Sequence, residues 1–263
     1  MFLKSQKLRS PHAFSTRLGG VSTLAHTKEM NLAFFRGDEN EVVLKNLERF
    51  AAEVGFDPQN VISLPQIHSN TVYKVGREDA GQGYYLRENI REGDGYVTGE
   101  KGIVLGVKAA DCVPILFEAE QDGKIVAVGA VHAGWRGTVS RIQQTCVRML
   151  CEEYAVTPAS IRAAIGPCIH SCCYEVDLPF LSQVTDTLGE DLAHRFITPT
   201  PAKEGKYACD LVGLNLALLE EIGVSGNRVD VIDQCTCCHP DLFYSHRYST
   251  GKRGTMLNVI MLN

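Results

Sequence analysis

The stretch Ala110-Asp-Cys-Val-Pro-Ile-Leu-Phe117, followed by Ile125-Val-Ala-Val-Gly-Ala-Val-His-Ala-Gly-Trp-Arg-Gly137, decides how this chain is read. Its two apolar runs flank Glu120-Gln-Asp-Gly-Lys124, and an Asp-Gly step between such runs predicts a β-hairpin. With a three-residue turn and Gly123 left-handed, paired residue numbers sum to 244, which sets Cys112 opposite His132. A two-residue turn pairs His132 with Val113 instead. Pro114 has no N–H for a ladder, so pairing beside Cys112 is expected to be irregular. A thiol and an imidazole brought together in this way allow three readings: a metal site, a Cys-His nucleophile pair, or two buried core residues.

Working outward, residues 41 to 54 carry Val43, Leu47, Phe50 and Val54 at helical spacing and stop before Gly55. A second helix is expected just past the hairpin, with Thr138 as N-cap and Val139, Ile142, Cys146 and Met149 on its buried face. A third is expected from about Leu211 to Ile222, before Gly223. Strands are read in residues 102–107, in the hairpin, and in residues 160–165, 228–232 and 256–261. They interleave too unevenly with helices for a doubly wound parallel sheet, so the expected class is α+β, with mixed sheets packed together and helices flanking them.

The chain has 263 residues, 44% of them hydrophobic, enough to bury a core as one large domain or two small ones, and no Pro/Gly/Ser-rich linker divides it. A net charge of -5 and the absence of a long Lys/Arg cluster argue against a nucleic-acid partner and for a small molecule. No run approaches the length of a membrane span, and Met1-Phe-Leu-Lys-Ser-Gln-Lys7 is too polar for an export signal. The expectation is a cytoplasmic protein, without membrane contact, whose ten cysteines are reduced.

A third chemical residue, His68, sits in Leu64-Pro-Gln-Ile-His-Ser-Asn-Thr-Val72, at a loop-to-strand junction. That block, together with DGYVTGEKGIVLGVKAADCVPILF, VGAVHAGWRGT, AAIGPCIHSCCYEV, the closing CTCCHPDLFYSHRYSTGKRG and Phe14-Ser-Thr-Arg-Leu-Gly-Gly-Val-Ser22, resembles the bacterial multicopper-oxidase-like, laccase-domain family. Members include purine nucleoside phosphorylases and the peptidoglycan editing factor. The resemblance implies a single α+β domain and a catalytic zinc held by His68, Cys112 and His132. Two imidazoles and a thiolate suit zinc, and three protein ligands leave a fourth position open for water or substrate. It further implies phosphorolysis of adenosine, inosine, guanosine and 5'-methylthioadenosine, with adenosine deamination as a second activity, so the partners are a nucleoside and phosphate.

Around these ligands, Asp111 orients a ligand or acts as general base if the backbone turns beside Cys112. Arg136 can grip phosphate in two-pronged fashion, and Arg17 and Arg247, in blocks that match the family, are candidate phosphate or substrate anchors. The helix expected after Gly137 would offer free N–H groups to an anion. The family's closing block runs into Thr-Gly-Arg where this chain has Lys252-Arg-Gly-Thr255, so no role is transferred beyond Arg247. Cys168 with Cys172-Cys173, and Cys235 with Cys237-Cys238-His239, read as small buried thiols rather than a second zinc site, because neither cluster is read as having the C-x2-C spacing of common zinc modules and adjacent side chains on an extended strand diverge. Three rivals remain: a Cys-His hydrolase acting on peptidoglycan precursors with Cys112 as nucleophile, a copper oxidase, and a non-catalytic zinc-stabilised binding protein, which requires a fourth ligand. Copper is a possible metal, but none of the five methionines stands in a ligand block to supply the usual weak axial contact.

Overall fold

The computed structural model describes residues 1–200 and 203–263. Two mixed sheets lie face to face. The larger has six strands in the order 229–231, 161–165, 113–121, 124–133, 95–98, 72–74, and the other has five in the order 2–3, 12–15, 256–261, 104–109, 61–62. A third, three-stranded sheet pairs 175–177 and 197–199 with 206–209.

Strand alternation builds the layers. Leu116, Val128 and Ala130 of the larger sheet meet Phe14, Leu105, Val107 and Ile260 of the other, all fully buried. The alternate residues Ile115, Phe117 and Val131 turn outward and pack on Ile142, Cys146 and Leu150 of the Ile142–Tyr154 helix and on Leu214 and Leu218 of the Leu211–Glu221 helix. On the opposite side, Val104, Leu257 and Val259 pack on Val43, Leu47 and Phe50 of the Asn40–Val54 helix. Because both faces of each sheet are covered, its strands read as almost continuous apolar runs. The Asn40–Val54 helix stops where Gly55, at φ 94°, returns its N–H to Ala51 O at 2.8 Å. The expected α+β class, with mixed sheets packed together and helices outside, is what the chain forms. No helix of the described residues is long and apolar enough to cross a membrane.

Two local expectations are corrected. The hairpin turns on two residues, Asp122 and Gly123, both at positive φ, pairing Gln121 with Lys124. An irregularity at Ala119/Glu120 then shifts the register, so that His132 pairs with Pro114 and Cys112 lies just outside the strand. Thr138 is not an N-cap: a five-residue helix, Trp135–Val139, already begins after Gly134, and Thr138 lies inside it. The chain then breaks at Arg141, at φ 64°, before the long helix starts at Ile142. So short a helix has little dipole to offer an anion.

Candidate metal centre

His68, Cys112 and His132 meet because the chain passes between the two large sheets at one end of the sandwich. Residues 110–112 cross from the Val104–Ala109 strand to the Val113–Gln121 strand, turning at Asp111, whose φ is 96°. Residues 63–71 make a second crossing, from Val61–Ile62 to Val72–Lys74, with His68 itself left-handed at φ 61°. His132 stands at the end of the Lys124–Ala133 strand between them. One nitrogen from each imidazole and the Cys112 sulfur all lie within 4.8 Å of one another. The two rings are 4.8 Å apart and nearly perpendicular, at 77°.

Asp94 fixes this arrangement. Its fully buried carboxylate accepts hydrogen bonds from the backbone N–H of Ile67 (3.2 Å), His68 (3.0 Å) and Ser69 (2.7 Å), from Ser69 Oγ (2.8 Å), and from His132 Nδ1 (2.9 Å). With Nδ1 bonded to Asp94, His132 has Nε2 left for a metal, and such a carboxylate–histidine pair sets both tautomer and ring orientation. Burial works to raise the Asp94 pKa, but the bonds from His132 and Ser69 hold it below the usual carboxylate range. Burial, with the neighbouring His132 and Arg136, pushes His68 down, favouring the neutral imidazole a metal binds. Burial also acts to lower His132, yet the facing Cys112 and Asp94 carry it up to about 9. Gly134 completes the fit, since a Cβ there would overlap His68 Nδ1 and lie 3.3 Å from Cys112 Sγ. Two imidazoles and one thiol match a zinc donor set, and among the described residues no fourth His, Cys or carboxylate joins the group.

These three residues line a cavity of about 740 Å³. Arg36, Arg87, Lys108, Arg247 and Arg253 also line it, against only two carboxylates, Glu88 and Asp111. Among the described residues none of the five cations is held in an ion pair. Lys108 Nζ reaches only Ser63 O, at 3.4 Å, and stands 5.4 Å above the Tyr84 ring. Burial, with Arg36 nearby, lowers its pKa to about 8. Burial and Arg36 likewise bring Arg253 down to about 10, and its Nε is buried without a partner. Phe34, Phe35, Trp135 and Tyr174 supply flat apolar walls.

The other residues singled out in the sequence are distributed unevenly. Arg247 lines the cavity; its backbone N–H donates to Asp111 Oδ2 at 2.7 Å, and its Nη1 to the carbonyls of Cys173 (3.1 Å) and Glu175 (3.0 Å). The second Asp111 oxygen accepts from Thr236 Oγ1 at 2.7 Å, so this carboxylate ties two loops together. Arg136 is exposed, stacked 4.4 Å from the Trp135 ring and outside the cavity lining. Arg17 is not brought to the cavity: its guanidinium donates to Pro240 O at 2.7 Å and covers the Tyr244 ring. Sequence reasoning missed Asp94, Arg36, Lys108 and Arg253. The signal for Lys108 was present, a lone cation inside the apolar strand Val104-Leu-Gly-Val-Lys-Ala109.

The family model described as multi-copper polyphenol oxidoreductase laccase matches residues 11–263. The purine nucleoside phosphorylase YlmD of Bacillus subtilis strain 168 is 34% identical over 250 residues, covering 94% of this chain and 86% of its own. The adenosine deaminase RL5, from an unknown prokaryotic organism, is 34% identical over 248 residues, 92% of this chain and 90% of its own. Among solved structures, the hypothetical protein YfiH of Bacillus licheniformis superposes with a TM-score of 0.88 at 31% identity, over 96% of this chain and 92% of that one.

Proposed function

This chain belongs to the multi-copper polyphenol oxidoreductase laccase family, and on that premise we propose that it is a zinc-dependent purine nucleoside phosphorylase with adenosine deaminase activity. Its substrates are adenosine, inosine, guanosine and 5'-methylthioadenosine with phosphate, and its products are the free base and the sugar 1-phosphate. We take residues 1–263 as one domain working in the cytoplasm. One observation carries the reading: the three donors open onto a cavity whose half-buried cation, Lys108, has no carboxylate partner among the described residues. A buried charge without a counter-ion is costly, and an anionic substrate relieves that cost.

His68, Cys112 and His132 would hold the zinc. When bound, it supplies a Lewis acid able to polarise an oxygen of phosphate, ribose or water. The protein's own groups account for the rest. Lys108, Arg36 and Arg253 hold phosphate in a site poor in competing carboxylates, where charge–charge attraction is stronger than in water. A phosphate oxygen bonds to C1' of the sugar as the glycosidic C–N bond breaks, its electron pair passing to the base, which takes up a proton. Trp135, Phe34, Phe35 and Tyr174 offer faces for the purine. A cavity of about 740 Å³ is within the range of pockets that enclose small ligands. Arg247 serves as a substrate anchor, with Asp111 as the positioning group that holds its backbone. We leave Arg136 at the rim and assign Arg17 to the fold.

The Cys112–His132 contact that raises the His132 pKa is also what a Cys-His hydrolase would use, so the assay must separate the two. Metal-quantified protein is incubated with adenosine or inosine, with and without phosphate, and the products are separated by chromatography. Phosphate-dependent release of base and ribose 1-phosphate is expected. No release, with turnover of a muropeptide precursor by zinc-free protein, would replace this reading with the hydrolase.

A further inference from the structure

We infer that the chain carries a second, structural zinc site formed by Cys172, Cys173, Cys235 and Cys238, separate from the His68/Cys112/His132 group. These four sulfurs lie within 4.8 Å of one another. Cys172 and Cys173 are 3.8 Å apart, Cys172 and Cys238 3.6 Å, and Cys173 and Cys238 3.4 Å. Zinc–sulfur bonds of about 2.3 Å in a tetrahedron place neighbouring sulfurs ~3.8 Å apart. The measured separations are close to that edge and far from the ~2.05 Å of a disulfide.

The backbone explains how adjacent cysteines converge, and it corrects the expectation of buried, diverging thiols. The two segments pair briefly, Cys168 beside Cys235, with Cys168 N–H to Gln234 O at 3.3 Å and Thr236 N–H to Cys168 O at 2.9 Å. Each then turns: the N–H groups of Cys173 and Tyr174 both return to His170 O at 2.9 Å, and that of His239 to Cys235 O at 3.2 Å. Turned rather than extended, the Cys172 and Cys173 side chains point the same way. Cys172 and Cys238 are exposed, which gives a metal a route in. The spacing expectation is corrected too, since Cys235 and Cys238 stand in the C-x2-C arrangement of a metal-binding loop. The Cys235 sulfur faces backbone N–H groups of His170, Cys237 and Cys238, the first at 3.5 Å. Such donors stabilise a thiolate. A tetrahedral set of four sulfurs selects zinc or iron, and four protein ligands close the shell, so the ion here braces structure and has no open position for substrate.

What it braces borders the cavity. Residues 172–175 present Tyr174 to the cavity and give Arg247 its two carbonyl acceptors. The 235–238 turn contains Thr236, which holds Asp111. An ion clamping the two turns keeps Arg247 and Asp111 in register.

Elemental analysis of the full-length protein purified with zinc present tests this. The wild type is expected to hold two zinc ions per chain. Cys172→Ser/Cys238→Ser is expected to hold one, as is His132→Ala, and the two losses should add. Cobalt substitution of His132→Ala gives a second readout, the visible absorption of a tetrahedral four-sulfur site, which does not depend on any cysteine variant folding. One zinc per chain in the wild type, unchanged in the cysteine variant, would overturn the inference. So would iron at this site, or a disulfide between Cys173 and Cys238 in protein kept under reductant. Because the count is taken without turnover, it stands or falls separately from the proposed reaction.

Discussion

Replacing Asp94 by Asn tests whether one buried carboxylate organises the metal centre. The change is nearly isosteric, but the five hydrogen bonds reaching Asp94 all come from donors, two on Oδ1 and three on Oδ2. Whichever way the amide is set, its NH2 faces at least two of those donors, leaving buried polar groups unsatisfied, at about 1–3 kcal/mol each. Partners of metal-bound histidines typically contribute 10–100-fold to metal affinity. We therefore expect Asp94→Asn to weaken zinc at His68/Cys112/His132 by about 10–100-fold, equivalent to about 1.4–2.7 kcal/mol. Competition against a chromophoric chelator, with the circular dichroism spectrum as a control for folding, measures it directly. Native-like folding with zinc affinity within twofold of the wild type would show that Asp94 does not organise the site.

Two other perturbations probe the cavity and the close packing of the centre. Lys108→Met should raise the KM for phosphate by at least tenfold with a smaller change in KM for nucleoside. In the wild type, Lys108 is charged below its pKa of about 8 and neutral above it, so phosphate affinity should fall as pH rises through about 8. Lys108→Met should lack that limb, and an identical pH profile in both proteins would exclude Lys108 as the phosphate contact. Gly134→Ala should abolish zinc at the three-donor site while sparing the four-cysteine site, because the added Cβ overlaps His68; elemental analysis reading two zinc ions per chain would refute it.

The layered architecture was legible because it rests on alternation and helical spacing. Ile115, Leu116 and Phe117 separate onto two faces, and Val43, Leu47 and Phe50 line one side of a helix, whatever the tertiary context. The short strands 12–15, 61–62 and 95–98 were not legible, since two to four residues give too little pattern and their pairing is decided by distant partners such as 256–261 and 104–109. The hairpin shows a mixed case. Asp122-Gly123 announced the turn, but the irregularity at Ala119/Glu120 changed the register without leaving a Gly or Pro to mark it. Strand pairing sets His132 beside Pro114, but it does not by itself turn the Cys112 sulfur toward the His132 ring. The turn at Asp111 completes the approach; Pro114 announced an irregularity there, but not the positive φ that Asp111 adopts.

That turn points to why the centre sits where it does. A sheet ladder satisfies its own backbone groups, so within it a side chain has only two directions to point. At the crossings the ladder ends, and residues such as Asp111 and His68 take positive φ, which strands do not permit and which is uncommon for residues with a Cβ. These conformations persist because side chains take over the role of the ladder. Asp94 gathers three consecutive backbone N–H groups around His68, and Asp111 holds the Arg247 N–H and the Thr236 hydroxyl. The two carboxylates thus do for the crossings what strand partners do for the sheets. This is why a pocket assembled from irregular segments can hold three donors within 4.8 Å of one another. The four-cysteine cluster extends the same logic outward, since it lies just past the Cys168–Cys235 bridge, where the turns at 171–173 and 236–238 leave the ladder.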